Sequence, residues 1–239
     1  MTPFEAVVGQ LGRDALMKLM EGRHSVRQYS PEPIEGAALE ALEQEIQACN
    51  AQSGLSIQLI VDNPDAFNGR LAHYGSFREV RNHIALVGPA GPGLDEACGY
   101  YGERLVLLAQ AMGLNTCWVA MTFSKKASEA RVAPGEKYAL CIAVGHGETA
   151  GAAHKVKPAE KLFQASGAVP AWFAAGVEAA RLAPTAMNQQ RFRFDLGEDG
   201  STVRAVALPA ISCGKVDLGI AKLHFELGAN AVSRDWRFA

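Results

Sequence analysis

Apolar residues recur at helical spacing from about residue 4 to residue 21, with Leu11, Leu16, Leu19 and Met20 among them. A second helical pattern covers residues 36–52, where Leu39, Leu42 and Ile46 recur at three and four and the glutamates fall on the other face. Then the period changes. "LSIQLIVDN" (55–63) predicts a strand that stops at Asn63-Pro64, and "HIALVGP" (83–89) predicts another. "GPAGPG" (88–93) is a turn cluster, and residues 94–113 predict a largely buried helix closed by Gly113. "YALCIAVGHG" is apolar on both faces, which predicts a strand central in its sheet. The last third offers a helix over 169–183, a hairpin over 191–209 turning at Glu198-Asp199-Gly200, and a closing helix over 216–231. Helices mixed with an antiparallel hairpin predict an α+β fold rather than a doubly wound parallel sheet.

Two pairs of segments follow the same order in each half of the chain. Residues 41–61 parallel 174–196, and 101–119 parallel 217–236, with Gly102 opposite Gly219 and Trp118 opposite Trp236. This echo predicts two degenerate halves, 1–150 and 151–239, forming one integrated globular unit.

Composition narrows the class. Of 239 residues 49% are hydrophobic and 20% charged, which predicts a substantial core. A net charge of -2 gives no basic field to attract a nucleic acid. No apolar run reaches the roughly 20 residues of a membrane span, and the N-terminus lacks a signal-peptide pattern. The five cysteines are scattered, with no C-x-x-C pair, as expected of reduced thiols in a cytoplasmic protein.

The asymmetry between the halves carries the candidate chemistry. "RHSVRQY" places Arg23, His24 and Arg27 around Ser25 at a helix exit, with no acid among them. Two guanidiniums, an imidazole and a hydroxyl suit a phosphate ester, each charge-assisted bond contributing about 1.5–3 kcal/mol. A solvated basic turn would look the same in isolation. Lys155 and Lys157 could reach the same anion. "APTAMNQQ" (183–190) sets hydroxyl and carboxamide groups after Pro184, suited to a heteroaromatic ring edge or a polyol, or equally to ordinary turn bonding. Elsewhere His73, His83, His146, His154 and His224 stand apart without metal-ligand spacing, and no G-x-S-x-G elbow occurs. Cys117, in an apolar run, reads as core, and His224 as a satisfied helix histidine. "GHGETAG" (145–151) lacks the spacing of a dinucleotide fingerprint. Without an acid, base or nucleophile constellation, a cofactor would carry any chemistry.

"RHSVRQYSPEPI" (23–34) resembles the flavin-phosphate motif of the FMN-dependent nitroreductase family, and "LAPTAMNQQRFRF" (182–194) resembles its Ala-Pro-Ser-x-x-Asn-x-Gln segment. "GLNTCWVAMTF" (113–123) is similar to the family's Gly-Leu-Gly-Thr-x-Trp loop, and "HKVKPAEKLF" (154–163) to its basic stretch. Motif order, and the ending "VDLGIAKLHFELGA", resemble the branch known as TM nitroreductases, over roughly residues 14–238.

The resemblance implies a nitroreductase-like fold in which two halves of one chain take the parts of the family's two subunits. Arg23, His24, Ser25 and Arg27, aided by Lys155 and Lys157, would hold the phosphate, ribityl and ring edge of one FMN. Pro184, Thr185, Ala186, Asn188 and Gln190 would form the opposite wall, and the backbone of Trp118, Val119 and Ala120 would approach N5. No catalytic side chain and no metal are implied. The implied activity passes hydride from NAD(P)H through the flavin to a stacked small-molecule acceptor, a nitroaromatic or quinone, in a monomeric pseudo-dimer or weak homodimer. Three departures stand out: Gln190-Arg191-Phe192 for Gln-Pro-Trp, Ala120-Met121 at the loop glycine, and Cys49-Asn50-Ala51-Gln52 in the matching first-half segment. The bulk of Met121 and Arg191 keeps a second expectation open, a non-catalytic flavin- or nucleotide-binding protein of the same fold.

Overall fold

A computed structural model describes residues 1–239, the side chain of Leu71 apart. Its contacts divide into two units, one of residues 1–10, 22–94 and 104–153, the other of residues 11–21, 95–103 and 154–239.

The first unit contains α1 (Pro3–Gln10), α3 (Gly36–Ser53), α4 (Arg70–Tyr74), and the strands β1 (Gln58–Ile60), β2 (Asn82–Pro89), β3 (Asn115–Val119) and β4 (Glu136–Gly145). The strands form one antiparallel sheet in the order β1-β2-β4-β3. β4 lies inside it, which is why its sequence is apolar on both faces. Val26, Tyr29, Phe67, Phe77, Cys117 and Phe123 belong to the core on this sheet. α3 buries Leu42, Ile46 and Cys49 at helical spacing and ends at Gly54, whose left-handed backbone lets its N–H donate to the Asn50 carbonyl. Buried Glu45 anchors α1, accepting the Phe4 N–H at 2.9 Å and pairing with Arg104 at 2.6 Å.

The second unit holds α2 (Arg13–Gly22, all but its last residue), α6 (Ala171–Ala180) and α7 (Gly214–Asn230). Its sheet comprises β5 (Phe163–Gln164), β6 (Phe192–Leu196), β7 (Thr202–Ala207) and β8 (Arg237–Phe238), in that order. β6 and β7 form the expected antiparallel hairpin, and the outer pairs β5–β6 and β7–β8 are parallel. Aromatic rings fill the space under the sheet: Phe194 stacks on Phe225 at 4.4 Å, and Phe173 meets Phe225 edge-on at 5.5 Å. α5 (Leu94–Ala111) belongs to this unit over residues 95–103 and to the first unit from Arg104 on.

Several elements differ from expectation. The helix expected over about 4–21 is two, broken at Leu11-Gly12, where glycine makes continued helix expensive. The strand expected over 55–63 is regular only at Gln58–Ile60: the Asn50 side chain takes both backbone groups of Ile57 at its start, and Ser56 and Asn63 outside it donate single bonds to Val87 and Arg81. "GLNTCWV", likened above to a loop, is strand over Asn115–Val119. The two-residue strands β5 and β8 are too short to leave a periodic trace. No helix among the described residues is long and apolar enough to cross a membrane.

Candidate functional site

In the first unit the segment leaving α2 is extended and held on several sides. The Val26 N–H donates to the Thr116 carbonyl at 3.0 Å, beside a parallel bridge from Ser25 to Thr116 on β3. The Tyr29 N–H donates to Arg78, the Arg78 N–H to Arg27, the Glu148 N–H to Gln28 and the Ser30 N–H to His146. The Tyr29 hydroxyl closes back on the Val26 carbonyl at 2.8 Å. Gly151 accounts for part of the "GHGETAG" run: its backbone is left-handed (φ 73°), and a Cβ there would stand 2.8 Å from the His24 Cβ. Its glycines thus let the chain pass close to the 23–29 segment.

Side chains alternate along extended backbone, so Arg23, Ser25 and Arg27 share one side. All three act on Cys117: burial pushes its thiol up, while Arg27, a hydrogen bond with Ser25 and Arg23 pull it down. His24, on the other side, packs against Gly151. Arg23 is 2% exposed, whereas Arg27 is exposed and its guanidinium sits 6.0 Å from the Phe77 ring. Trp118 and Val119 end β3 and Ala120 follows, with Val119 buried and the other two partly so. The first-unit residues singled out from sequence are therefore neighbours, His24 facing away from the guanidinium pair. The donors Arg23, Ser25 and Arg27, with no carboxylate in their segment, can hold an anion such as a phosphate ester. The nearby carboxylate of Glu148 is engaged by Arg78.

In the second unit the singled-out residues form a polar knot. Lys155 offers its carbonyl to Asn188 Nδ2 at 2.9 Å and Gln190 Nε2 at 2.7 Å. The Lys157 N–H donates to Gln190 Oε1, and its ammonium to the carbonyls of Gln189 and Gln190 at 2.7 and 2.8 Å. Burial, then Arg191 and Lys161, hold that ammonium below the ordinary lysine value. Thr185 Oγ1 accepts the Gln190 N–H at 3.0 Å. Pro184 is buried, Thr185 and Ala186 are partly exposed, and Asn188 is exposed. Gln190 is buried and its amide is taken up inside the knot, as is most of Lys157, so these two shape the segment. Arg191 is drawn aside, its Nε donating to the Pro209 carbonyl.

Sequence reasoning missed Asp217, whose Oδ1 accepts the Ala186 N–H at 2.9 Å. Its signal was an acid on the apolar face of a helix, between Val216 and Leu218. Arg181, which donates to the Lys157 carbonyl at 2.9 Å, left no signal of that kind.

Against known proteins, the model of the family described as "Putative TM nitroreductase" matches residues 15–229. A Thermotoga maritima protein described as a putative nitroreductase is 21% identical, over 89% of this chain and 82% of its own, with a TM-score of 0.62. A Bacteroides thetaiotaomicron protein described as a putative NADH dehydrogenase/NAD(P)H nitroreductase is 18% identical, over 62% of this chain and 95% of its own, with a TM-score of 0.50. A Desulfovibrio desulfuricans protein described as a putative nitroreductase, solved in complex with FMN, is 18% identical over 62% of this chain and 94% of its own, at a TM-score of 0.49. At these identities the first two likenesses establish an α+β, nitroreductase-like fold. No curated protein matches the chain.

Proposed function

The chain belongs to the TM nitroreductase family, and from that premise we propose that it is an FMN-dependent oxidoreductase. The observation that carries the reading is the stitched 23–29 segment, which aligns Arg23, Ser25 and Arg27 beside β3 as donors for a phosphate group. Arg27 would meet the phosphate from solvent, Ser25 would add its hydroxyl and Arg23 would lend charge from within, while His24, which faces the other way, is assigned to the site on the strength of the family motif alone. The backbone of Trp118, Val119 and Ala120 is assigned to the ring. In the second unit, Lys155, Lys157, Pro184, Thr185, Ala186, Asn188 and Gln190 are assigned to the same FMN on the strength of the family motifs. The exposed Lys155 side chain is the group there most open to a ligand, since Asn188, though exposed, is bonded at both ends of its amide. Only the first half of the chain carries the Arg-His-Ser-x-Arg cluster, so one FMN per chain is expected.

Bound FMN would supply the redox chemistry, taking hydride from NAD(P)H and passing it to a nitroaromatic, quinone or similar small acceptor. The residues' own share is to grip the phosphate, fix the ring's position and steady negative charge on it. No side-chain acid is assigned, so solvent would deliver protons. Replacing the exposed Arg27 with alanine should weaken FMN binding about 10- to 100-fold, the worth of one charge-assisted contact, in a flavin-fluorescence titration. An unchanged Kd would remove the phosphate site from this segment.

Met121, 75% exposed beside the Trp118–Ala120 stretch, favours one other reading, a flavoprotein whose ring is closed to substrates. FMN that binds yet stays oxidised with both NADH and NADPH would select it.

A further inference from the structure

Asp217 sits in the first turn of α7 on the helix's buried face and is 2% exposed. Taking a carboxylate out of water is unfavourable unless each oxygen finds a donor. Oδ1 accepts the Ala186 N–H, but Oδ2 meets no hydrogen-bond donor among the described residues. An asparagine would fill the same space and accept the same N–H, so packing alone does not call for the charge.

The segment that Asp217 holds needs holding. Met187, Asn188 and Gln190 all take left-handed backbone, with φ of 55°, 53° and 46°, a conformation side-chain-bearing residues resist. Lys157 secures the far end of the segment through the Gln189 and Gln190 carbonyls, and Asp217 secures the near end through Ala186.

We propose that Asp217 is a positioning residue for the ligand site: its carboxylate clamps the Ala186 N–H and fixes the 185–190 segment, and protonation loosens the clamp. The link to ligand binding rests on the reading of that segment as part of the FMN site. Burial pushes the Asp217 carboxyl up to about 6, against the pull of the Ala186 N–H. The groups that act at this place are that N–H and Cys213 at the start of α7, and Cys213 in turn feels the Asp95 carboxyl of α5. Burial, then Asp217 and Asp95, push the Cys213 thiol up, despite a hydrogen bond with Ser212, so the thiol stays neutral where Asp217 titrates.

Amide hydrogen exchange over 185–190 in the full chain, wild type against D217N, tests this at about pH 8 and about pH 5, with intrinsic exchange rates divided out. In the wild type, protection should fall about tenfold on acidification, because a local opening of 185–190 breaks the Ala186 bond that favours the charged form and leaves Asp217 buried on α7, unlike global unfolding, which exposes it. D217N should show the loosened value at both. FMN affinity measured in parallel should follow the same pattern. Protection that ignores pH in the wild type, or D217N indistinguishable from it, overturns the proposal; the wild-type comparison alone decides should D217N not fold. The expected exchange pattern without FMN binding would sink the flavin reading and leave the clamp. Tight FMN binding with flat exchange would do the reverse.

Discussion

Gly151 shows how little room the 23–29 segment has. An alanine there must hold left-handed backbone and place its Cβ 2.8 Å from that of His24. G151A should therefore cost about 1–3 kcal/mol in denaturant unfolding, and it should weaken anion binding with it. Asp217 bears on stability through pH. Its carboxyl titrates at about 6 in the fold against an ordinary 3.8, so the folded chain binds that proton more tightly than the unfolded one. The group's stabilising share is full below about 3.8 and is lost as pH rises through about 6. The whole effect is on the order of 3 kcal/mol. His83 works in the opposite sense: burial lowers its imidazole from 6.5 to about 4, so stability is lost as pH falls between those values. Comparing wild type with D217N cancels the histidine. The wild type should gain stability relative to D217N as pH drops from about 7 to about 4, read from urea midpoints; parallel curves would contradict the assignment.

Within the second unit, the 95–103 stretch of α5 and helix α7 meet at two glycines. A Cβ on Gly219 would lie 2.0 Å from the Glu96 carbonyl oxygen, and one on Gly99 would lie 2.1 Å from that of Val216. Three polar links flank the crossing: Lys222 to Glu96 at 2.7 Å, Tyr100 to Glu226 at 2.7 Å, and His224 to Glu103 at 2.9 Å. The clash at Gly219 is with backbone, so no side chain can yield. G219A should destabilise by about 3 kcal/mol in thermal or denaturant unfolding, where an exposed helical glycine would gain from the change. Sequence pattern was a good guide where burial has a period. The 94–113 helix, the hairpin and the central strand around Cys141 stand where apolar spacing puts them, because each buries one face or both along its whole length. It failed where a single side chain overrides the pattern, as Asn50 does at Ile57. It failed also where a strand pairs through two residues, as Phe163–Gln164 does.

For the molecule as a whole, the family was legible because the motifs in this sequence are concentrated charges and amides in a fixed order, and the family's model matches residues 15–229. The segment around Ser25 was readable as donor chemistry, since Arg, His and Ser announce it. Its support was not, because that consists of backbone bonds from residues 78, 116, 146 and 148, far away in the chain. Asp217 was passed over for a related reason: one acid in an apolar helix stripe looks like noise until its partner on another segment is known. The amide-rich stretch was legible as polar, but nothing in its composition told that Gln190 and Lys157 would turn inward to shape it. The central claim is that this chain holds one FMN and reduces it with a nicotinamide cofactor. Titrating FMN into the purified protein under anaerobic conditions, and then adding NADH or NADPH while following flavin absorbance, tests it most directly. The account predicts saturation at about one FMN per chain and bleaching of the bound flavin by one of the two donors. Flavin that remains free in solution throughout the titration would contradict it.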